Sequence, residues 1–168
     1  DLLKERLGID LCFGSWCTHI LDDLPAPEHL IQVGIRSSGK PKSHWESTFG
    51  VKQHWANEIK ELGVEKVINN ILEQLAQQNI DELYVSFDID AIDECYASAT
   101  GTPEPDGLMP SEAMQILQAI AAKYPITGAD MMEIAPFTDS SGLGAISQEK
   151  TLTVAGEISA FLIGEMNK

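Results

Sequence analysis

The sequence is poor in positive charge. Its 168 residues include only 11 Lys and Arg against 26 Asp and Glu, which gives a formal net charge of −15. A surface of this kind repels phosphate backbones and anionic lipids, so neither a nucleic acid nor a membrane is expected as a partner. A cationic substrate or a metal ion is compatible with the charge, as is an ordinary solvated acidic surface.

Cysteines and long apolar runs are scarce as well. Cys12, Cys17 and Cys95 form no CxxC pair, which argues against a disulfide framework or a zinc knuckle and fits a reducing cytoplasm. No apolar run approaches the roughly 20 residues of a membrane span, and no signal segment opens the chain. The chain begins at Asp1 rather than at Met, which indicates a fragment or a processed chain. With 43% hydrophobic residues, we expect one globular, cytoplasmic domain.

Hydrophobic patterning predicts an alternation of strands and helices. Strands are expected at residues 30–35, 83–88 and 125–134, and helices at 64–78, from an N-cap at Ser111, and at 149–165. Residues 36–50 and 91–110 are expected to be loops, and the near-continuous apolar run 83–88 is typical of a strand covered on both faces. This order predicts a three-layer α/β/α fold around a mostly parallel sheet.

Acidic residues stand at the ends of two of these strands. Ligands of such sheets bind beyond the carboxyl ends of the strands, where Asp88, Asp90 and Glu133 are located. Because alternate residues of a strand share a face, Asp88 and Asp90 are expected to point to one site. Crowded carboxylates repel one another, and a hard cation such as magnesium or manganese relieves that repulsion. The alternative is a loop whose acids cap a helix or remain solvated.

Two motifs carry a family resemblance. SFDIDAID followed by ATGTPEPDGL resembles the ureohydrolase signature SFDxDxxDP…GTGTPxxGGL, and ADMMEIAP with Asp139 is similar to the ADxxExxPxxD segment of that family. Ureohydrolases are the binuclear-manganese arginases and agmatinases. The motifs span roughly residues 83–139, and the strand-like LIQVGIR extends the likeness over nearly the whole chain. The resemblance implies that residues 1–168 are the carboxy-terminal portion of a single ureohydrolase domain with an arginase-like sheet.

The resemblance also implies a metal site. Asp88 and Asp90 match the two carboxylates that contact both manganese ions in the family. Asp1 lies about a dozen residues before FGSW, which resembles the HGTxF motif of the family, and at that spacing Asp1 matches the final Asp of the DAHxD ligand motif. Asp1, Asp88 and Asp90 are therefore the candidate metal ligands, for two manganese ions in the complete site.

Further residues match the substrate cleft of the family. Glu133 matches the glutamate that binds the cationic amidine or guanidine group, and Thr102 lies in the loop that lines the cleft. Asp93 matches an acid that braces this loop, and we count it with Glu133 among the catalytic candidates; Asp130 matches a supporting residue. The implied reaction is hydrolysis of a guanidino or amidino C–N bond by metal-activated water, which releases urea, in a homo-oligomer. The segments GTPEPDGL and EIAPFTD favour agmatinases over formimidoylglutamases within the family.

The chain also departs from the family pattern. The GGDH and DAHxD segments are not found, and the four histidines form no HxH or HxxxH arrangement. Phe13 occupies the position of a family histidine that helps to move a proton, which phenylalanine cannot do. A second hypothesis is therefore a non-catalytic, ureohydrolase-like subunit with a role in assembly. A magnesium-dependent phosphotransfer domain is a weaker third reading, because no phosphate-binding glycine loop accompanies the DxD letters.

Overall fold

The computed structural model describes residues 2–136 and 145–168, so the predicted ligand Asp1 and the motif residue Asp139 lie outside the described residues. Within that part, short 3₁₀ turns at Pro27–His29 and Ile89–Ala91 accompany the regular elements. These elements are α1 (Trp16–Ile20), β1 (Ile31–Ile35), α2 (Lys42–Phe49), β2 (Lys52–Trp55), α3 (Ala56–Leu62), α4 (Val64–Gln77), β3 (Leu83–Asp88), α5 (Pro110–Ala121), β4 (Ile126–Met132) and α6 (Ala145–Met166).

All strand pairs in the described residues are parallel. β1 pairs with β2, and β3 pairs with β4 in a register that sets Ser86 opposite Asp130 and Asp88 opposite Met132. Each pair is connected through a helix, α2 or α5, as parallel neighbours require. The predicted α/β class with parallel strands is confirmed, although here the strands form two two-stranded sheets. The carboxyl ends of β3 and β4 lie side by side.

The core lies between the helices and these strands. Val67, Ile71 and Leu75 recur every four residues along α4, so they form the buried stripe that its sequence predicted. They join one large cluster with Phe87 of β3 and Ile126 of β4. No helix in the described ranges is both long and apolar enough to cross a membrane.

Two predictions about local structure are wrong. Residues 36–50 are not a loop throughout, because α2 occupies Lys42–Phe49; this helix has no fully buried residue, and only Trp45 and Phe49 pack, partly buried, against a small cluster. Ser111 is not the N-cap of α5, since that helix begins at Pro110 with Met109 as its N-cap. The Glu112 carboxylate accepts a hydrogen bond from the Met109 N–H at 2.8 Å and so satisfies a donor at this helix end.

Strand β3 is covered on only one face in the described part of the chain. Phe87 is buried, whereas the side chain of Tyr84 is 66% exposed and Ser86 is also exposed. The prediction of a strand covered on both faces is therefore wrong for these residues. The exposed face presents polar groups, because the Tyr84 hydroxyl and the Ser86 hydroxyl both donate to Asp130 on β4, at 2.9 and 2.8 Å.

Candidate active site

The metal-ligand candidates lie where β3 ends. The strand stops at Asp88, and a 3₁₀ turn follows at Ile89–Ala91. Ile89 and Ile92 are completely buried and anchor the turn in the core. The sequence predicts that Asp88 and Asp90 share one face of a strand. That explanation is wrong, because Asp90 lies beyond the end of β3. The turn, rather than the pleat, brings the two carboxylates together.

Negative charge is concentrated around Asp88. Burial of the carboxyl group, followed by the like charge of Asp90, raises the pKa of Asp88 to about 6. Glu133 and Asp130 add smaller repulsions in the same direction. Asp88 thus feels the negative charge of three other acidic groups, and a bound cation would relieve this repulsion.

Glu133 follows β4 directly and comes to the same edge. The Ala135 N–H donates to the Ala99 carbonyl at 2.9 Å, which ties this segment to the loop that begins after Asp93. A Cβ atom placed on Gly101 would lie 3.9 Å from Oε2 of Glu133, so the carboxylate lies against that loop. Glu133 has a φ of 64°, a left-handed conformation that costs a residue with a side chain about 1–2 kcal/mol. Strain of this kind tends to persist at functional sites.

Asp93 braces the loop. Its carboxylate accepts hydrogen bonds from the backbone N–H groups of Cys95 at 2.9 Å and Gly107 at 3.2 Å. Although burial alone would raise it, these backbone hydrogen bonds hold the pKa of Asp93 below its ordinary value. A carboxylate engaged at both oxygens is a bracing group. These contacts are consistent with the bracing role that the resemblance implied for Asp93.

Gly107 lies where the two ends of the loop meet. A Cβ atom here would lie 2.5 Å from the backbone nitrogen of Asp93 and 2.7 Å from the carbonyl carbon of Ile92. No side chain fits at that distance. Gly107, the second glycine of the GTPEPDGL segment, is therefore required by the close approach of two backbones.

Thr102 connects this loop to the turn after β3. Its hydroxyl donates to Oδ2 of Asp90 at 3.0 Å. The resemblance placed Thr102 in the substrate cleft, and the structure adds a direct contact with a ligand candidate.

Sequence reasoning missed Arg36. Its Nη2 donates to the carbonyl oxygens of Asp90 at 2.6 Å and Glu104 at 3.0 Å, and its Nε donates to the Pro105 carbonyl at 3.2 Å. Arg36 was predicted only as the first residue of a polar loop. The available signal was its position directly after the carboxyl end of β1, at the edge where ligands of parallel sheets bind.

The described residues include two of the candidate metal ligands. Asp88 and Asp90 offer carboxylate oxygens, which suit hard divalent ions such as manganese, and the pKa of Asp88 is raised first by burial and then by the neighbouring negative charge. Within residues 2–136 and 145–168, no group of three or more His, Cys, Asp and Glu residues is arranged so that it could hold a metal ion. Asp88 and Asp90 alone are too few to hold a metal ion, so a manganese site would need further ligands.

The chain is similar to known proteins over most of its length. The Arginase family model matches residues 1–163. Proclavaminate amidinohydrolase from Streptomyces clavuligerus is 36% identical over 153 residues, which cover 89% of this chain and 45% of that protein. Arginase-1 from Oryctolagus cuniculus is 31% identical over 155 residues, covering 91% of this chain and 45% of that enzyme.

Solved structures agree with the sequence comparison. The structure of proclavaminate amidino hydrolase from Streptomyces clavuligerus superimposes with a TM-score of 0.79 at 30% identity, and the match covers 98% of this chain and 52% of that one. The present chain thus spans about half the length of the relatives that it matches.

Proposed function

Because the chain belongs to the arginase family, we propose that the complete protein hydrolyses a C–N bond of a small guanidino or amidino compound and releases urea, with two manganese ions at its active site. One observation carries the proposal. The parallel pairing of β3 and β4 brings Asp88, Asp90 and Glu133 to one edge of the sheet, where they form a strongly acidic cluster.

Each residue has a distinct part in the proposed reaction. Glu133 would bind the planar cation, since a carboxylate accepts parallel N–H donors well. Asp88 and Asp90 would hold the metal, with Thr102 fixing the orientation of the Asp90 carboxylate. When bound, manganese would supply activation of a water molecule near neutral pH. Asp93 would keep the substrate-binding loop closed through its backbone contacts.

The proposal extends to partners and location. The excess of acidic residues supports a small cationic substrate and argues against binding to nucleic acid or an anionic membrane. Cys12, Cys17 and Cys95 are free thiols, which supports a reducing cytoplasm. We propose a homo-oligomer on the family resemblance alone; sedimentation of the full-length protein tests it.

The decisive experiment compares two Glu→Gln variants of the full-length protein. Urea release is measured with manganese on a panel of guanidino compounds that includes agmatine and arginine. Glu133→Gln should lower kcat/KM by roughly 10- to 100-fold, because a charge-assisted hydrogen bond to the substrate is lost. The control is Glu149→Gln on α6, an exposed residue, which should leave kcat/KM unchanged. Equal activity of the two variants would contradict the role of Glu133.

One observation favours a second candidate, a non-catalytic subunit. Phe13 occupies the position of the proton-relaying family histidine, and its side chain is 61% exposed with the Arg6 guanidinium 4.7 Å from the ring centroid. A phenylalanine side chain has no group that can carry a proton. A manganese-loaded, folded protein that releases no urea from any compound of the panel would support this second candidate over the hydrolase.

A further inference from the structure

Arg36 makes three hydrogen bonds across the fold, all to backbone carbonyls. The acceptors belong to Asp90, Glu104 and Pro105, which are 54, 68 and 69 residues further along the chain. In the described part of the chain Arg36 takes part in no ion pair. The guanidinium group of Arg36 therefore binds backbone carbonyls. Arg36 directly follows the end of β1, which places it beside the acidic cluster.

The hydrogen bonds of Arg36 and Thr102 form a closed ring that includes Asp90. The Asp90 carbonyl accepts from Arg36, while the Asp90 carboxylate accepts from Thr102. Two residues after Thr102, the Glu104 carbonyl also accepts a hydrogen bond from Arg36. The turn that bears the metal-ligand candidates and the loop that lines the cleft are thus tied to one side chain. A displacement of either segment strains the other.

The chemistry of the guanidinium suits this task. It is planar, carries five N–H donors in a fixed fork and stays charged at every physiological pH. Hydrogen bonds from a charged donor are stronger than neutral ones. A lysine ammonium is a single point on a flexible stem, so it cannot reproduce donors at both Nε and Nη2.

We propose that Arg36 is a positioning residue that fixes Asp90 and the Thr102 loop together for metal binding and catalysis. The inference rests on the proposed function for its catalytic part, whereas the contacts themselves do not. Arg36 touches neither substrate nor metal in this role. It acts through Asp90 and through the loop.

The same loop provides a matched control. Lys60 forms an ion pair with Asp106 at 2.8 Å, but the Lys60 and Asp106 side chains are 43% and 84% exposed. An exposed pair of this kind contributes little. Lys60→Ala therefore removes a charged anchor of the loop without disturbing Asp90.

The test uses Arg36→Lys, Arg36→Ala and Lys60→Ala in the full-length protein. Manganese affinity is measured by calorimetry, and loop closure by the rate at which a glutamate-specific protease cleaves after Glu94, whose N–H donates to the same Glu104 carbonyl at 3.3 Å. Arg36→Lys should weaken manganese binding by about 10-fold or more, as loss of a group that orients a ligand typically does. It should also speed the cleavage after Glu94, and lower kcat more than it changes KM. Lys60→Ala should leave manganese affinity within about twofold of the unmodified protein.

Other results would contradict the role proposed for Arg36. If Arg36→Lys lowers the melting temperature but leaves manganese affinity and cleavage unchanged, the residue is merely structural and the proposal is wrong. If Arg36→Ala does not fold, Arg36→Lys decides alone, because it retains the charge and most of the stem. An unmodified protein that binds manganese but releases no urea would contradict the proposed function, while the binding and cleavage measurements would still decide the role of Arg36.

Discussion

The Thr102 hydroxyl reaches across a loop and donates a 3.0 Å hydrogen bond to the Oδ2 atom of Asp90. The contact orients one carboxylate of a crowded acidic cluster and connects the segment that would line the substrate cleft to the segment that would hold the metal. Variants of the full-length protein can test this contact and its neighbours.

Removal of the Thr102 hydroxyl should weaken metal binding. Thr102→Val keeps the shape of the side chain but loses the donor to Asp90, so manganese affinity should fall by about 10-fold. Thr102→Ser retains the hydroxyl and should stay close to the unmodified protein. Calorimetric titration with manganese distinguishes the two variants, and equal affinities would show that the hydrogen bond does not orient Asp90 for the metal.

Gly107 and Gly156 should respond to alanine with opposite signs. A Cβ atom on Gly107 would lie 2.5 Å from the Asp93 nitrogen, so Gly107→Ala should lower the free energy of unfolding by about 1–3 kcal/mol through overpacking. Gly156 lies within α6 and a Cβ there meets nothing within 4 Å, so Gly156→Ala should raise it by about 0.5–1 kcal/mol. Denaturant unfolding measures both. A neutral Gly107→Ala would mean that the two backbones are further apart than described.

The left-handed backbone of Glu133 predicts an order of stability. With φ at 64°, glycine fits this position without strain and alanine does not. Glu133→Gly should therefore be more stable than Glu133→Ala by about 1 kcal/mol in the metal-free protein, although both lose the carboxylate. Chemical denaturation compares them, and the reverse order would contradict the strained conformation.

Restoring a histidine at position 13 should speed turnover. Phe13 is exposed, so Phe13→His sacrifices little burial, and loss of the Arg6 contact should cost about 0.5–1 kcal/mol. A positioned proton-transfer group contributes about 10²- to 10⁴-fold, so urea release should rise. Phe13→Leu is the control without a proton carrier. A stable, manganese-loaded Phe13→His protein that is as inactive as its parent would favour the non-catalytic reading.

Glu58 predicts an acid-dependent loss of stability. Although burial alone would raise it, hydrogen bonds from Lys42 at 2.7 and 2.9 Å and from the Trp55 N–H at 2.8 Å hold the pKa of Glu58 below its ordinary value of 4.5. A lowered pKa in the folded state means that the stabilisation is present above pH 4.5 and is lost as the pH falls through the lower folded value.

Glu58→Gln tests this dependence. Near neutral pH the variant should be less stable by about 1 kcal/mol, the usual contribution of a contact at a helix start. The difference should shrink in acid, below the folded pKa of Glu58. Glu61→Gln, on the exposed side of the same helix, should show no such trend. Unfolding free energies at several pH values provide the measurement, and a constant difference would contradict the assignment.

Sequence patterns predicted the elements that bury an apolar stripe and failed where polar residues are buried. Helix α4 was predictable because Val67, Ile71 and Leu75 repeat at helical spacing. Strand β2 was not, because its buried residues are Gln53 and His54. Their burial depends on hydrogen bonds to distant side chains, from Gln53 to Gln32 at 2.8 Å and between His54 and Gln74 at 2.9 Å. Such partners cannot be identified from local periodicity.

The sequence by itself determined which residues stand at the ends of β3 and β4, because an apolar run followed by an acid motif is a local pattern. Asp88, Asp90 and Glu133 could therefore be named in advance. The tertiary structure alone decided how they are held. The ring through Arg36 joins residues 54 to 69 positions apart, and its acceptors are backbone carbonyls, which every residue carries. No letter of the sequence marks such an acceptor, so only the folded chain reveals it.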